Sequence, residues 1–287
     1  MSLRLLPSLL VLVGLLVLSG AHSVYADETQ HFQINIDSTI DMEITGKKQN
    51  VTALTELAYQ WRKDSKGRTL FLDSTFVKAD MNGQPLLNTL TNAEKFLETK
   101  GDKKTEILIN DANDELKKIL VDSYTAPICV LTVDASGAET ERSIVAKEGA
   151  KSQIENGIVA NCTMFHPPYF ADKQEWERQT EFSAGNGAYV KGNLLYKKGE
   201  KTAAGQKVTF SGTLTNPGYL RPGTPLKMEN NIYKISGEQT YDPASKEYVL
   251  GKLVIDISFD LSVSDKPIGN AKGKMNLTFK RKESAEK

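Results

Sequence analysis

The chain has 287 residues, 36 basic and 36 acidic side chains, 10 prolines and two cysteines. Balanced charge excludes a polybasic nucleic-acid binder and an acidic solvating tail. Two cysteines exclude a disulfide-dense miniprotein and a four-cysteine zinc site, and an apolar share of 39% suits a sheet with one wet face better than a helix-wrapped parallel sheet.

The first 26 residues read as a signal peptide. Arg4 supplies the positive n-region, Leu5–Leu18 an apolar run, and Val24-Tyr25-Ala26 the small residues, Ala26 and Val24, that a signal peptidase admits at the first and third positions before the cut at Asp27. The run is shorter than the roughly 20 residues a spanning helix needs. The expectation is therefore an exported chain, periplasmic or secreted after cleavage at Ala26, with no membrane span in the mature part. Residues 27–282 then form a single antiparallel β-rich domain with a helical insert at about 86–124, and 283–287 a frayed charged tail. An oxidising compartment makes Cys129 and Cys162 expected disulfide partners.

From Phe32 to Ile44 apolar and polar residues alternate, which predicts a long half-buried strand. Gly46-Lys47-Lys48 turns the chain, and Val51, Ala53, Leu57, Tyr59 and Trp61 carry the apolar face back. A third strand covers Thr69–Ala79 and ends at Asn82-Gly83, a tight-turn dipeptide. Leu86, Leu90, Ala93 and Leu97 then fall at helical spacing, with Thr91 and Glu94 in the form of a capping box and Gly101 as a stop. This predicts a helix over Leu86–Lys100. Asn110–Tyr124 repeats the pattern with Leu116 and Leu120 on its apolar face, and Pro127 ends it.

Ile128–Val133 and Glu141–Val145 flank Asp134-Ala135-Ser136-Gly137 as a hairpin. Gly157–Phe165 reads as an apolar strand, His166-Pro167-Pro168-Tyr169 as a rigid extended loop, and Asn216–Pro225, rich in proline and glycine, as an irregular loop. Two alternating runs, Val249–Val263 and Ala271–Phe279, form the last hairpin. Shortest closure over Ser264–Asn270 puts Val263 opposite Ala271, Phe259 opposite Met275 and Asp260 opposite Lys274.

Chemistry-bearing groups are sparse. His166 is a candidate general base with no Ser, Cys or Asp signature around it, and no spacing suggests a metal site. Asp37, Asp41 and Glu43 share a polar strand face, where solvation beside lysines is the simpler reading than paired-carboxylate chemistry. The expectation is no catalytic residue, no metal and no cofactor.

Gly237-Glu238-Gln239-Thr240-Tyr241-Asp242-Pro243 through Gly251-Lys252-Leu253-Val254-Ile255-Asp256 resembles the C-terminal part of an uncharacterised secreted bacterial β-rich family, and Pro167-Pro168 with Trp176 fits it loosely. A looser architectural likeness, carried by strand length and the two helices, is to periplasmic lipoprotein-carrier half-barrels, which shelter acyl chains beneath helices.

The fold class expected is mainly β (α+β), a large curved antiparallel sheet or half-barrel with two short amphipathic helices on its apolar face. The functional expectation is a non-catalytic module binding a lipid or other apolar ligand between sheet and helices, with Tyr59, Trp61, Leu90, Leu97, Leu116 and Leu120 as lining candidates. The alternative is a structural or protein-binding component of the cell envelope with a packed core; a hydrolase is a third reading.

Overall fold

A computed structural model describes residues 28–63, 67–133, 139–151, 157–185, 188–220 and 225–282. The leader assigned to residues 1–26, the 134–137 turn and the 283–287 tail lie outside the described residues. Among the described residues no helix is long and apolar enough to cross a membrane.

The architecture is one open antiparallel sheet of 14 strands. Strands β1 (Glu28–Ile44), β2 (Lys47–Lys63), β3 (Gly67–Met81), β4 (Gln84–Asn92), β5 (Lys95–Lys100) and β6 (Lys103–Leu108) follow one another as hairpins. After the helical region, β9 (Glu175–Gly185), β10 (Ala188–Thr202), β11 (Gly205–Leu220), β12 (Leu226–Asp242), β13 (Glu247–Val263) and β14 (Lys266–Arg281) form a second meander. The halves join where β1 pairs with β14, so the first and last strands sit side by side in the middle of the sheet. The large curved sheet expected from the alternating patterns is the fold observed.

At β3 the sheet forks. Residues Ser74–Met81 pair with β4, whereas Gly67–Leu70 pair with β7 (Cys129–Val133), which in turn pairs with β8 (Glu139–Ile144). The fork adjoins a β-bulge: Ala58 faces Ser74 but Tyr59 faces Leu72, leaving Asp73 over. The Asp73 carboxylate accepts a 2.7 Å hydrogen bond from Gln60 Nε2 and lies 3.3 Å from His31 Nδ1, which ties the extra residue down.

Three hairpins close through two-residue turns at Thr45-Gly46, Asn82-Gly83 and Ser264-Asp265, all with positive φ at both positions. Such turns match the twist of the flanking strands. The last corrects the expected register. Ser264 and Asp265 alone make the turn, so β14 begins at Lys266, Phe259 faces Ala271, Ile255 faces Met275 and Asp256 faces Lys274. The difference from shortest closure over Ser264–Asn270 is four residues, which preserves every face: Phe259 is buried, and Lys274 is exposed with its Nζ 3.9 Å from Asp256.

Two short helices occur among the described residues, α1 (Asp114–Tyr124) and α2 (Ile158–Met164). The first lies within the predicted Asn110–Tyr124. Asn113 caps it, its side chain accepting the Leu116 N–H at 2.8 Å, and Asp114 and Glu115 complement the N-terminal dipole. The second replaces the strand expected at Gly157–Phe165. It is buried on nearly every side, and a short all-apolar run carries no period that separates strand from helix.

The helix expected over Leu86–Lys100 is instead the β4–β5 hairpin, so the insert at about 86–124 is only partly helical. Asn92 decides the difference: its side-chain oxygen accepts the backbone N–H groups of Glu94 and Lys95 at 2.9 and 3.0 Å, an Asx turn where the capping box had placed a helix start. Thr89, Thr91 and Thr99 also favour strand.

Of the loop expected over Asn216–Pro225, residues 216–220 are strand, since β11 runs to Leu220, and residues 221–224 lie outside the described residues. Pro217 is tolerated inside β11 because β12 is irregular opposite it, with Asn230 at φ 52° and a register shift between Glu229 and Ile232.

The core fills the inner face of the curved sheet. Phe32, Ile34, Leu57, Tyr59, Trp61, Leu277 and Phe279 from its centre meet Leu120, Ile128, Cys162 and Phe165 from the covering elements. On the β9–β13 side the inner face closes on itself: the Phe182 and Tyr233 rings are 6.0 Å apart although they lie on β9 and β12. Gly237 faces Phe210 on the neighbouring strand, and a Cβ there would stand 2.6 Å from Phe210 Cζ.

Candidate functional site

The polar centre of the molecule forms where the loop after α2 dips onto β1, β2, β13 and β14. His166 enters there, 9% exposed, among the edges of Phe32, Tyr59, Trp61 and Phe279, with ring centroids at 4.9–6.2 Å. Its Nε2 is 3.0 Å from the Tyr59 hydroxyl, and its Nδ1 is 3.5 Å from Glu247 Oε2, an electrostatic contact longer than a good hydrogen bond. Glu247, 2% exposed, also receives Lys63 Nζ at 2.6 Å and Arg68 Nη1 at 2.9 Å.

Charge assignments follow from these surroundings. Burial would raise the Glu247 pKa, but His166, Arg68 and Lys63 outweigh it and hold the carboxyl at about 2. Burial lowers the His166 pKa and prevails over the opposing pull of Glu247, so the imidazole is neutral. An ionised carboxylate facing Nδ1 selects the Nδ1–H tautomer, which leaves Nε2 to accept from the Tyr59 hydroxyl. Burial, then Cys162, then Glu247 push the Tyr59 pKa well up. The row Tyr59–His166–Glu247 has the parts of a proton relay. The Tyr59 phenol is fully buried and its raised pKa keeps it protonated, and the row links the loop after α2 to β2 and β13.

Sequence reasoning singled out His166 but missed Glu247, Lys63 and Arg68. Tyr59 and His166 are 107 residues apart, and no spacing rule links them. The available signal was one charge, Glu247, set among the buried positions that begin β13.

The expected lining residues divide. Tyr59, Trp61 and Leu120 are buried in the core and Leu116 packs against it. Leu90 and Leu97 face each other across β4–β5, in line with Phe76 and Glu56, and this row points away from the face that carries Tyr59 and Leu57. The expected helix would have turned them inward. The interval between sheet and covering elements is filled by rings: Phe32 stacks on Tyr59 at 5.5 Å and on Phe279 at 5.4 Å, and Phe165 stacks on Phe279 at 5.0 Å.

Cys129 on β7 and Cys162 on α2, expected to be bonded, form no disulfide, and both are buried. Each packs as a small apolar side chain in the core. Burial, and then the neighbouring Cys129, push the Cys162 thiol pKa up. Asp37, Asp41, Glu43, Lys272, Lys274 and Lys280 lie on the solvated face. Among the described residues no group of three His, Cys, Asp or Glu side chains could hold a metal ion.

The inner face is covered unevenly. Along β1 it passes from fully buried Phe32 and Ile34 to half-exposed Ile40, Met42 and Ile44. Val51 and Ala53 on β2, and Val77, Ala79 and Met81 on β3, continue that half-exposed apolar surface in register.

No family model matches the chain, and no curated protein matches it. Among solved structures it is similar to lipovitellin, described for its lipid–protein interactions, at 10% identity and TM-score 0.45 over 90% of this chain. The chain spans about a quarter (26%) of that one. It is also similar to OccK5 of Pseudomonas aeruginosa at 7% identity and TM-score 0.23, covering 89% of this chain and 99% of that one. The β domain of the Bordetella autotransporter BrkA gives 8% identity and TM-score 0.22, covering 88% and 99%. Likenesses this loose assign no function.

Proposed function

We propose that the chain is an exported, non-catalytic module that holds an apolar or amphipathic ligand, such as a lipid, against the uncovered part of its concave face. The observation that carries the reading is the change along β1, where the inner-face side chains are apolar from Phe32 to Ile44 except at Ser38 while their cover thins. A surface of this kind is costly in water unless something occupies it. The ligand is placed beyond the helices rather than beneath them, because aromatic rings fill the space beneath. The same filled interior supports a second reading, a structural or protein-binding component of the cell envelope.

Delipidated protein titrated with a fluorescent fatty-acid probe separates the two. Saturable binding, weakened about tenfold or more by Ile40→Lys with Val77→Lys while the thermal transition stays cooperative, is expected for the module. A probe that does not bind leaves the structural reading. Export is tested by N-terminal sequencing of protein recovered outside the cytoplasm, with Asp27 expected as the first residue.

A further inference from the structure

The long sheet ends at β6, whose one neighbour in it is β5. Lys100 and Lys103 flank the Gly101-Asp102 turn as a pair, and the ladder continues through Glu98–Thr105 and Phe96–Ile107. Beyond Ile107, the Ile109 N–H donates to the Glu94 carbonyl at 2.7 Å. In an antiparallel ladder, residues that exchange hydrogen bonds with a neighbour alternate with residues that point away from it. Lys103, Thr105 and Ile107 therefore turn their backbone groups to β5, and Lys104 and Glu106 turn theirs to the free edge.

Both edge residues are exposed, and they carry opposite charges. Lys95 Nζ holds Glu106 Oε1 at 2.7 Å from the β5 side, and a carboxylate has lone pairs for a second cation. An unpaired edge is a template for another strand, and here the charges select which strand and in what register. With a two-fold axis at Thr105, a second β6 runs antiparallel to the first. Thr105 then faces its own copy, and Lys104 of one chain faces Glu106 of the other on both sides of the axis. The smallest slip that keeps every side chain on its face would instead set Glu106 opposite Glu106, or Lys104 opposite Lys104.

We propose that the free edge of β6 is a docking surface for a second copy of this chain, paired antiparallel about a two-fold axis at Thr105. The outward N–H and C=O groups of Lys104 and Glu106 exchange hydrogen bonds across the axis, and their side chains form cross-strand ion pairs that fix the register. The contact is isologous, so it closes at two chains and does not grow into a fibre. β6 is short (Lys103–Leu108), which makes the interface small and the dimer a reversible one at high protein concentration. The inference stands on β5 and β6 and does not depend on a ligand on the concave face.

Sedimentation velocity of the full chain from about 1 µM to about 1 mM tests it. A reversible rise in mass from one chain to two is expected. Lys104→Glu and Glu106→Lys should each weaken dimerisation about tenfold or more, because each sets like charges opposite one another on both sides of the axis. The double variant exchanges the charges, restores the pairs and should dimerise within about threefold of the parent. A single-chain mass over the whole range overturns the proposal. So does a dimer that the single variants leave intact, or one that the double variant does not restore. Should the charge variants fail to fold, cysteines decide. Thr105→Cys should cross-link two chains under mild oxidation, since Cα atoms at such a non-hydrogen-bonded pair stand about 4.5 Å apart. Lys103→Cys, set opposite Ile107, should not, and the native Cys129 and Cys162 are fully buried. Equal cross-linking by the two variants, or none by either, overturns the docking.

Discussion

Glu247 gathers two cations, Lys63 and Arg68, and the neutral His166 ring around one buried carboxylate. Removing one partner of a buried ion cluster leaves the others uncompensated, so Glu247→Gln should destabilise by about 3–5 kcal/mol. By contrast Lys118→Ala, which removes a half-exposed pair with Asp122, should cost less than about 1 kcal/mol. Urea denaturation ranks the two, and comparable midpoints would contradict the cluster's weight.

The same residues predict a pH dependence. The folded-state pKa of Glu247 is about 2 against an ordinary 4.5, so its contribution, about 3 kcal/mol, is complete above 4.5 and is lost as pH falls toward 2. His166 is also depressed, from an ordinary 6.5. The unfolded chain therefore takes up that proton first, and stability begins to fall below about pH 6.5. Both slopes have the same sign. His166→Gln should flatten the upper part of the stability–pH curve and Glu247→Gln the part below 4.5.

At the scale of elements, the β13–β14 hairpin separates faces cleanly. Phe259→Ala should cost about 3–5 kcal/mol, and Lys274→Ala less than about 1; the reverse order of denaturation midpoints would overturn the face assignment. Ser264 and Asp265 occupy left-handed backbone at φ 50° and 59°, where Asn-Gly is favoured. Replacing Ser264-Asp265 by Asn-Gly should therefore stabilise by about 1 kcal/mol, and a loss of stability would contradict the turn.

Elements with a clean two-residue period, β1, β2, β13 and β14, were legible in the sequence because one buried face imposes that period. Leu86–Lys100 misled because Leu86, Leu90 and Leu97 happen to repeat at helical spacing, while the deciding contact is a short-range one, the Asn92 side chain on two backbone amides. Gly157–Phe165 misled because burial on all sides erases the pattern. The polar centre was legible only at His166, since Lys63 and Arg68 pair across one hairpin but Glu247, which they meet, lies 179 residues beyond Arg68.

Across the whole molecule the two thiols give a simple check on packing. Cys129 and Cys162 are both fully buried, and burial favours the unreactive protonated thiol. Iodoacetamide should therefore label neither in the native protein and both after denaturation without reductant. A single labelled site in the native state, or unlabelled thiols after unfolding, would contradict the core described here.

The open margin of the sheet between β8 and β9 has one further property, and it is arithmetical. From β8 the ladder runs through β7, β3, β2, β1, β14, β13, β12, β11 and β10 to β9, and each neighbour reverses direction. That makes eleven strands, an odd number, so β8 and β9 run the same way. A ring in which every neighbour is antiparallel needs an even number, as in the up-and-down barrels of outer membranes. Sliding the register or trimming side chains along this margin therefore leaves β8 and β9 unable to complete such a ring by themselves. Their opening is a matter of counting, and a twelfth strand running opposite to both is the smallest addition that would remove it.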